Sequence, residues 1–224
     1  MKKLWISAAA LAMAVTFIGV VGATPAAAVV TITANGTVTC TSLGGKIAFS
    51  PALHTVGTTN SDTSTVSVKL AGCSTTSTNL PAGSIITGKA TSTIVTTTTD
   101  NSANACAGLA TSRATVQTIS WTDKSSGGVT LAKLTKTVVS FSGFDILVNG
   151  SSDPGFDLSK DSGGTASATG SFLGSDGGAS SEANIFAKKT TTQITTSCGT
   201  ATGLASLALG AAGTVADPSH SVAG

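Results

Sequence analysis

The sequence predicts an all-β protein, an antiparallel β-sandwich or barrel with two disulfides and one short helix. Three observations support this fold class. Hydroxyl and apolar residues alternate in runs such as 65–70, which gives each strand one dry face and one wet face. Turn-forming pairs such as Asn35-Gly36 separate these runs. Four cysteines follow a leader-like N-terminus, as in exported proteins.

Residues 1–28 have the three parts of a secretory signal peptide. Lys2 and Lys3 give a basic start, residues 4–22 carry no charge, and residues 23–28 are small and offer an A-x-A cleavage pattern. A retained membrane anchor is the alternative, because the apolar run is nearly long enough to span a bilayer. We expect cleavage, no membrane span afterwards, and a secreted or extracellular protein, with retention on the cell wall left open.

The remaining chain, 29–224, is expected to form a single all-β domain with a loose tail from about 217. Predicted strands lie at 29–33, 37–41, 46–50, 65–70, 85–97, 115–122, 134–142, 144–148, 165–172, 183–187, 204–209 and 214–216. Threonine suits their wet faces because its branched Cβ favours extended backbone. Trp121, beside Ile119 in one of these strands, is expected in the core.

One segment, 190–198, breaks the period of two. Thr190 and Gln193 stand at capping-box spacing. Ile194 and Cys198 are placed to share one helical face. The segment is therefore predicted to be a short helix, with a Thr-rich strand as the alternative.

The cysteine count predicts two disulfides with three possible pairings. The four residues are Cys40, Cys73, Cys106 and Cys198. If 37–50 runs in one direction and 65–73 runs back beside it as an antiparallel neighbour, Cys73 lies near Cys40 at a separation that a disulfide accepts. We therefore favour Cys40–Cys73 and, by elimination, Cys106–Cys198. No metal site is expected, because the sequence has no C-x-x-C or Cys/His ligand spacing.

Composition and charge exclude several classes of protein. A single Glu and a single Arg argue against coiled coils. The 12 Lys+Arg against 10 Asp+Glu do not supply the basic footprint of a nucleic-acid binder. Without Lys2 and Lys3 the domain is neutral overall, so electrostatic capture by a membrane or a polyanion is not expected.

The segment 161–164, Asp-Ser-Gly-Gly, resembles the nucleophile segment of chymotrypsin-like serine proteases. That resemblance implies Ser162 as the nucleophile and His54 as the base, with Asp62 or Asp100 orienting the histidine.

The chain departs from the protease pattern around this serine. Lys160 stands where the family has a glycine that shapes the oxyanion hole, and no cysteine precedes Ser162 nearby. A Ser-Gly-Gly turn before the next strand is the simpler interpretation. We therefore assign no catalytic residues and keep the protease as the alternative function.

Acidic residues concentrate between 145 and 182, where oxygen ligands on loops would suit Ca²⁺. They are Asp145, Asp153, Asp157, Asp161, Asp176 and Glu182. The spacing is not that of an EF-hand, and a solvated loop is the simpler interpretation. No metal or cofactor is assigned.

Seven segments carry a resemblance to a known group of proteins: 37–53, 71–73, 106–109, 170–179, 198–199, 203–207 and 213–215. They resemble segments of small exported four-cysteine β-proteins of actinomycete bacteria. The resemblance implies one disulfide-linked β domain outside the membrane and brings no assigned activity and no functional residues. We predict a secreted or cell-envelope-associated β-sandwich, a non-catalytic structural or interaction module. Its expected partner is a protein or the cell wall, not nucleic acid, and its only sites are the four disulfide cysteines.

Overall fold

The computed structural model describes residues 28–110, 114–141, 148–149, 153–158, 166–173, 180–210 and 220–223. Residues 1–27 of the predicted leader lie outside this part of the chain. The strands within it are β1 Thr31–Ile32, β2 Val38–Leu53, β3 Ser61–Thr75, β4 Ile85–Thr97, β5 Thr115–Lys124, β6 Thr130–Leu134, β7 Thr137–Phe141, β8 Val148–Asn149, β9 Asp153–Leu158, β10 Ala166–Thr169, β11 Ser180–Ala187, β12 Leu204–Gly210 and β13 His220–Ala223. A 3₁₀ segment, Cys106–Ala110, follows β4, and one α-helix, α1 Thr191–Cys198, precedes β12.

The strands form one mostly antiparallel sheet that is not closed. Its centre is the run of four long neighbours β2, β3, β4 and β5. At one side, β2 pairs with β13 near its start and with β12 further along, and β11 joins both of them to β9. At the other side, β5 pairs with β7 in its first half and with β6 at its end. The predicted antiparallel all-β class is confirmed.

Strand β5 shows why the alternating sequence builds this sheet. Gln117, Ile119 and Trp121 point inward and are buried, whereas Val116 and Ser120 are exposed. Inward side chains of this kind form one hydrophobic cluster with residues of α1 and β12. The largest fully buried members of the cluster are Phe172, Leu70, Ile86, Ile119, Leu207, Leu209 and Val38. The period of two therefore separates a packed inner face from a solvated outer face.

Trp121 lies in the core, as the sequence predicts. Its ring meets Phe172 edge to face, with the centroids 5.0 Å apart. The indole Nε1–H donates to Thr137 Oγ1 at 2.7 Å, and the Thr137 hydroxyl donates to the Ser171 carbonyl oxygen at 2.6 Å. These two hydrogen bonds satisfy the indole N–H, the Thr137 hydroxyl and the Ser171 carbonyl oxygen, which burial would otherwise leave without partners.

Both favoured disulfide pairings are confirmed. Cys40 and Cys73 lie directly opposite each other on β2 and β3, with their Cα atoms 3.9 Å apart. Cys106, in the 3₁₀ segment, is bonded to Cys198 at the end of α1, with the Cα atoms 6.4 Å apart. One disulfide thus links two central strands, and the other ties the helix to the loop after β4.

The predicted helix is also confirmed, and its first turn explains it. The Gln193 N–H donates to Thr190 Oγ1 at 3.2 Å, and the Thr190 N–H donates to Gln193 Oε1 at 3.0 Å, which completes a capping box. Ile194 and Cys198 are the buried residues of the helix. Side chains at i and i+4 share a face, so both reach the core together.

The runs 37–41 and 46–50 belong to one strand, as the predicted pairing of 37–50 with 65–73 requires. Gly45, between them, lets the β3 backbone at Ser67 approach more closely than a Cβ would allow. Two details differ from the predicted strands. Run 134–142 is divided, because the Thr135 N–H donates to the Ile32 carbonyl oxygen of β1 at 3.0 Å. Part of the expected tail, His220–Ala223, pairs as β13. Residues 144–147 and 214–216 lie outside the described residues.

Candidate interaction surface

His54 follows β2 and is held by its backbone beside the Cys106–Cys198 disulfide. Its N–H donates to the Asn104 carbonyl oxygen at 3.0 Å, and its carbonyl oxygen accepts from the Cys106 N–H at 2.8 Å. The imidazole is half-buried. Ser162 lies outside the described residues, so the serine–histidine geometry that a protease requires stays a prediction.

The two candidate orienting carboxylates lie in different surroundings. Asp62 is buried at the start of β3, where its Oδ2 accepts from the Ser64 hydroxyl at 3.0 Å. Asp100 lies exposed in the loop after β4, where its Oδ1 accepts from the Ser102 N–H at 3.1 Å and from the Ser102 hydroxyl. These bonds, the hydroxyl first and the N–H second, hold the pKa of Asp100 below its ordinary value of 3.8.

The acidic segment 145–182 cannot be placed around a cation, because all six of its side chains lie outside the described ones. In the part of the chain that the structure describes, no group of three or more His, Cys, Asp or Glu is arranged to hold a metal ion. Calcium binding by that segment stays a hypothesis.

Asp123 is a buried carboxylate that sequence analysis did not single out. It is inward-facing on β5, is 0% exposed, and lies opposite Ile86 of β4 and Ala132 of β6. Neither carboxylate oxygen has a hydrogen-bond partner among the described residues. Asn104 is equally buried, but its amide makes four hydrogen bonds. A signal for Asp123 was present, since it continues the inward positions 117, 119 and 121.

The outer face of the sheet carries most of the described lysines. Six of the eight lie on the outward side of β2 to β6 and of the short link between β6 and β7, and all six are exposed: Lys46, Lys69, Lys89, Lys124, Lys133 and Lys136. Alternation fixes their direction, because the residues next to them in each strand, such as Ile47, Leu70 and Ala90, are buried. We call this surface the lysine face.

The strand register sets the lysines in a band across the sheet. Lys69 of β3 is directly opposite Lys89 of β4. Lys46 of β2 pairs with Ser67, two residues before Lys69, and is therefore a diagonal neighbour of Lys69. Lys89 in turn pairs with Ser120 of β5.

Hydroxyl groups fill the space between these lysines, and the described acids lie elsewhere. Outward hydroxyl residues of the four central strands include Thr65, Ser67, Thr87, Thr91, Thr93, Thr118, Ser120 and Thr122. Of the acidic side chains that the structure describes, Asp62 and Asp123 are buried, and Asp100 is in a loop. Net charge hides this arrangement, because none of the acidic side chains that the structure describes is on the face that holds the lysines.

The fold and this surface define a disulfide-linked antiparallel β protein with one lysine- and hydroxyl-lined sheet face. None of the described helical segments is long and apolar enough to cross a membrane. In comparisons with known proteins, no protein family, no curated protein and no solved structure gives a significant match to this chain.

Proposed function

We propose that this chain is a secreted or cell-envelope-associated β-sandwich that acts as a non-catalytic structural or interaction module. The observation that carries the proposal is the lysine face. Its outward side chains are not used to pack against other described elements, although they occupy the broadest part of the sheet. Charged and hydroxyl groups on a rigid sheet bind a partner without requiring titratable groups to converge in a cleft.

Two disulfides support a location outside the cytoplasm. Disulfides form and persist in oxidising compartments, and all four cysteines of the chain are paired. Their sequence separations are 33 and 92 residues, and in the loop-entropy model such cross-links stabilise the fold by about 4 and about 5 kcal/mol. The two cross-links thereby favour the folded sheet over the unfolded chain.

The test is to locate the full-length chain in the organism that carries its gene. We expect a product that begins near residue 29 in the medium or the envelope fraction, with no thiol that reacts with a maleimide before reduction. Val15→Arg, which places a charge in the apolar leader, is the matched control and should keep the precursor inside the cell. An uncleaved parent chain retained in the cytoplasm, or one with free thiols, would contradict the proposal. A partner is then sought by cross-linking in the envelope fraction.

A further inference from the structure

We infer that the lysine face is a docking surface for a linear anionic polymer of the cell envelope that carries phosphodiester groups. The inference rests on the proposed function for the location of the protein. It adds the chemical class of the partner and the residues that bind it.

The first step is the repulsion that the face contains. Lys69 and Lys89 are directly opposite, so their Cβ atoms are about 5 Å apart, and Lys46 lies about 7–8 Å from Lys69 across the diagonal. Like charges in opposite positions of a sheet are destabilising. None of the described acidic side chains lies on the face to offset them. A bound anion would relieve this repulsion, so the ligand would supply the counter-charge that the described residues do not provide there.

The second step is the extent of the band. From β2 through β3, β4 and β5 to the segment with Lys133 and Lys136, it crosses four strand spacings, about 20 Å. A single phosphate cannot reach all these lysines, whereas an extended chain with a charge on each repeat contacts several of them. Ser67, Thr91 and Ser120 stand between the lysines and offer hydroxyls to phosphate and polyol oxygens.

The third step separates this polymer from other anionic partners. Docking to a lipid surface is typically supported by apolar or aromatic side chains that enter the acyl boundary. The side chains between the central lysines are short hydroxyls. The exposed apolar residues Ile85, Val95 and Val116 lie towards the strand ends, and no outward residue of β2 to β5 is aromatic. Base reading in duplex DNA uses an element that fits the major groove, an α-helix or a two-stranded ribbon, whereas this face is four strands wide. A flexible single-chain polymer can follow the band of lysines without apolar anchors and without base-reading side chains.

The experiment uses the full chain with both disulfides formed and a fluorescently labelled synthetic poly(glycerol phosphate) oligomer. Binding is measured by anisotropy at several salt concentrations. The test variant is Lys69→Gln/Lys89→Gln, and the matched control is Thr191→Glu/Thr192→Glu, which lowers the net charge by the same amount at exposed positions of α1, away from the face. We expect the test variant to lose about 30-fold in affinity at low salt, since a lysine near a polyanionic surface contributes about 5-fold. Its salt slope should fall by about 1.4, since each contact contributes about 0.7. The control should stay near the parent affinity.

Each other outcome overturns the inference. Equal losses in the two variants would mean that only net charge matters, and no binding by the parent would remove the polymer altogether. Tighter binding to vesicles of phosphatidylglycerol and phosphatidylcholine, or to a DNA duplex, than to the poly(glycerol phosphate) oligomer would show that the lysine face binds a different partner. Thermal unfolding of both variants checks folding, and removal of the opposed lysines should not lower the melting temperature. If the protein is found in the envelope but does not bind the polymer, only this inference fails. If the protein is found in the cytoplasm, the proposed function fails as well.

Discussion

Lys69 and Lys89 lie directly opposite each other on neighbouring strands, both exposed and both on the outer face. A cross-strand pair of like charges lowers the stability of a sheet, whereas a pair of opposite charges raises it. The pair therefore lowers the stability of the fold at the centre of the lysine face. Costs of this kind are expected where a residue serves a function other than folding.

Replacing one lysine of this pair by an acid should stabilise the protein. We expect Lys69→Glu to raise the free energy of unfolding by about 1 kcal/mol at low salt, because it exchanges a repulsion for an attraction across the strands. Since exposed charges are screened, the gain should shrink at about 0.5 M salt. Urea unfolding at the two salt concentrations measures it, with Lys188→Glu as the control. A lower stability at low salt would show that the two ammonium groups do not repel each other in the fold.

Removal of the Thr137 hydroxyl should be strongly destabilising. The hydroxyl accepts from the Trp121 indole and donates to the Ser171 carbonyl oxygen, and Thr137 is completely buried. Thr137→Val keeps the shape but leaves both partners without a hydrogen bond, at a cost of about 2–4 kcal/mol. Unfolding followed by fluorescence reports on it, because Trp121 is the only tryptophan after the leader.

Thr65→Val is the matched control for that variant. Thr65 lies exposed on β3, so its replacement should change stability by no more than about 0.5 kcal/mol. Equal effects of the two substitutions would mean that the buried hydroxyl chain does not contribute to stability.

Neutralising Asp123 should stabilise the fold. Its carboxylate is fully buried and has no hydrogen-bond partner among the described residues, so an ionised form would be poorly solvated. Asp123→Asn keeps the size and removes the charge, and we expect a gain of about 1–3 kcal/mol in the free energy of unfolding at neutral pH. Asp62→Asn, at a carboxylate that accepts from Ser64, should give no such gain. A loss of stability in Asp123→Asn would show that the carboxylate has a partner that it needs.

Local patterns predict the elements of this protein well. The strand at 85–97 has the bounds of β4, the capping box at Thr190 marks the helix, and the two disulfides follow from one antiparallel pairing. Each of these depends on residues near one another in sequence or on a single hairpin.

The lysine face and Asp123 depend on information of another kind. The outward direction of Lys69 and of Lys89 is readable from alternation, but their direct opposition requires the register between β3 and β4. Asp123 occupies a readable inward position, but only the arrangement of β4, β5 and β6 shows that its oxygens have no partner among the described residues. Register and burial are properties of the assembled sheet, so composition and net charge do not contain them.

Asp100 should titrate below its ordinary value because of Ser102. Hydrogen bonds from the Ser102 hydroxyl and N–H favour the ionised carboxylate and lower its pKa from 3.8. A group with a lowered pKa stabilises the fold above its unfolded pKa, and this contribution is lost as the pH falls through the folded pKa. We expect the carboxyl carbon of Asp100 to show an NMR titration midpoint below 3.8.

Ser102→Ala separates the hydroxyl from the N–H in that effect. The variant removes the largest cause and keeps the backbone donor, so the midpoint should move up towards 3.8 without reaching it. Thr98→Val, which removes a smaller contribution, should move the midpoint less. The stability difference between the parent and Ser102→Ala should be present at pH values above 3.8 and should vanish once the pH is below the folded pKa of Asp100. An unchanged midpoint in Ser102→Ala would mean that the hydroxyl does not hold the carboxylate in solution.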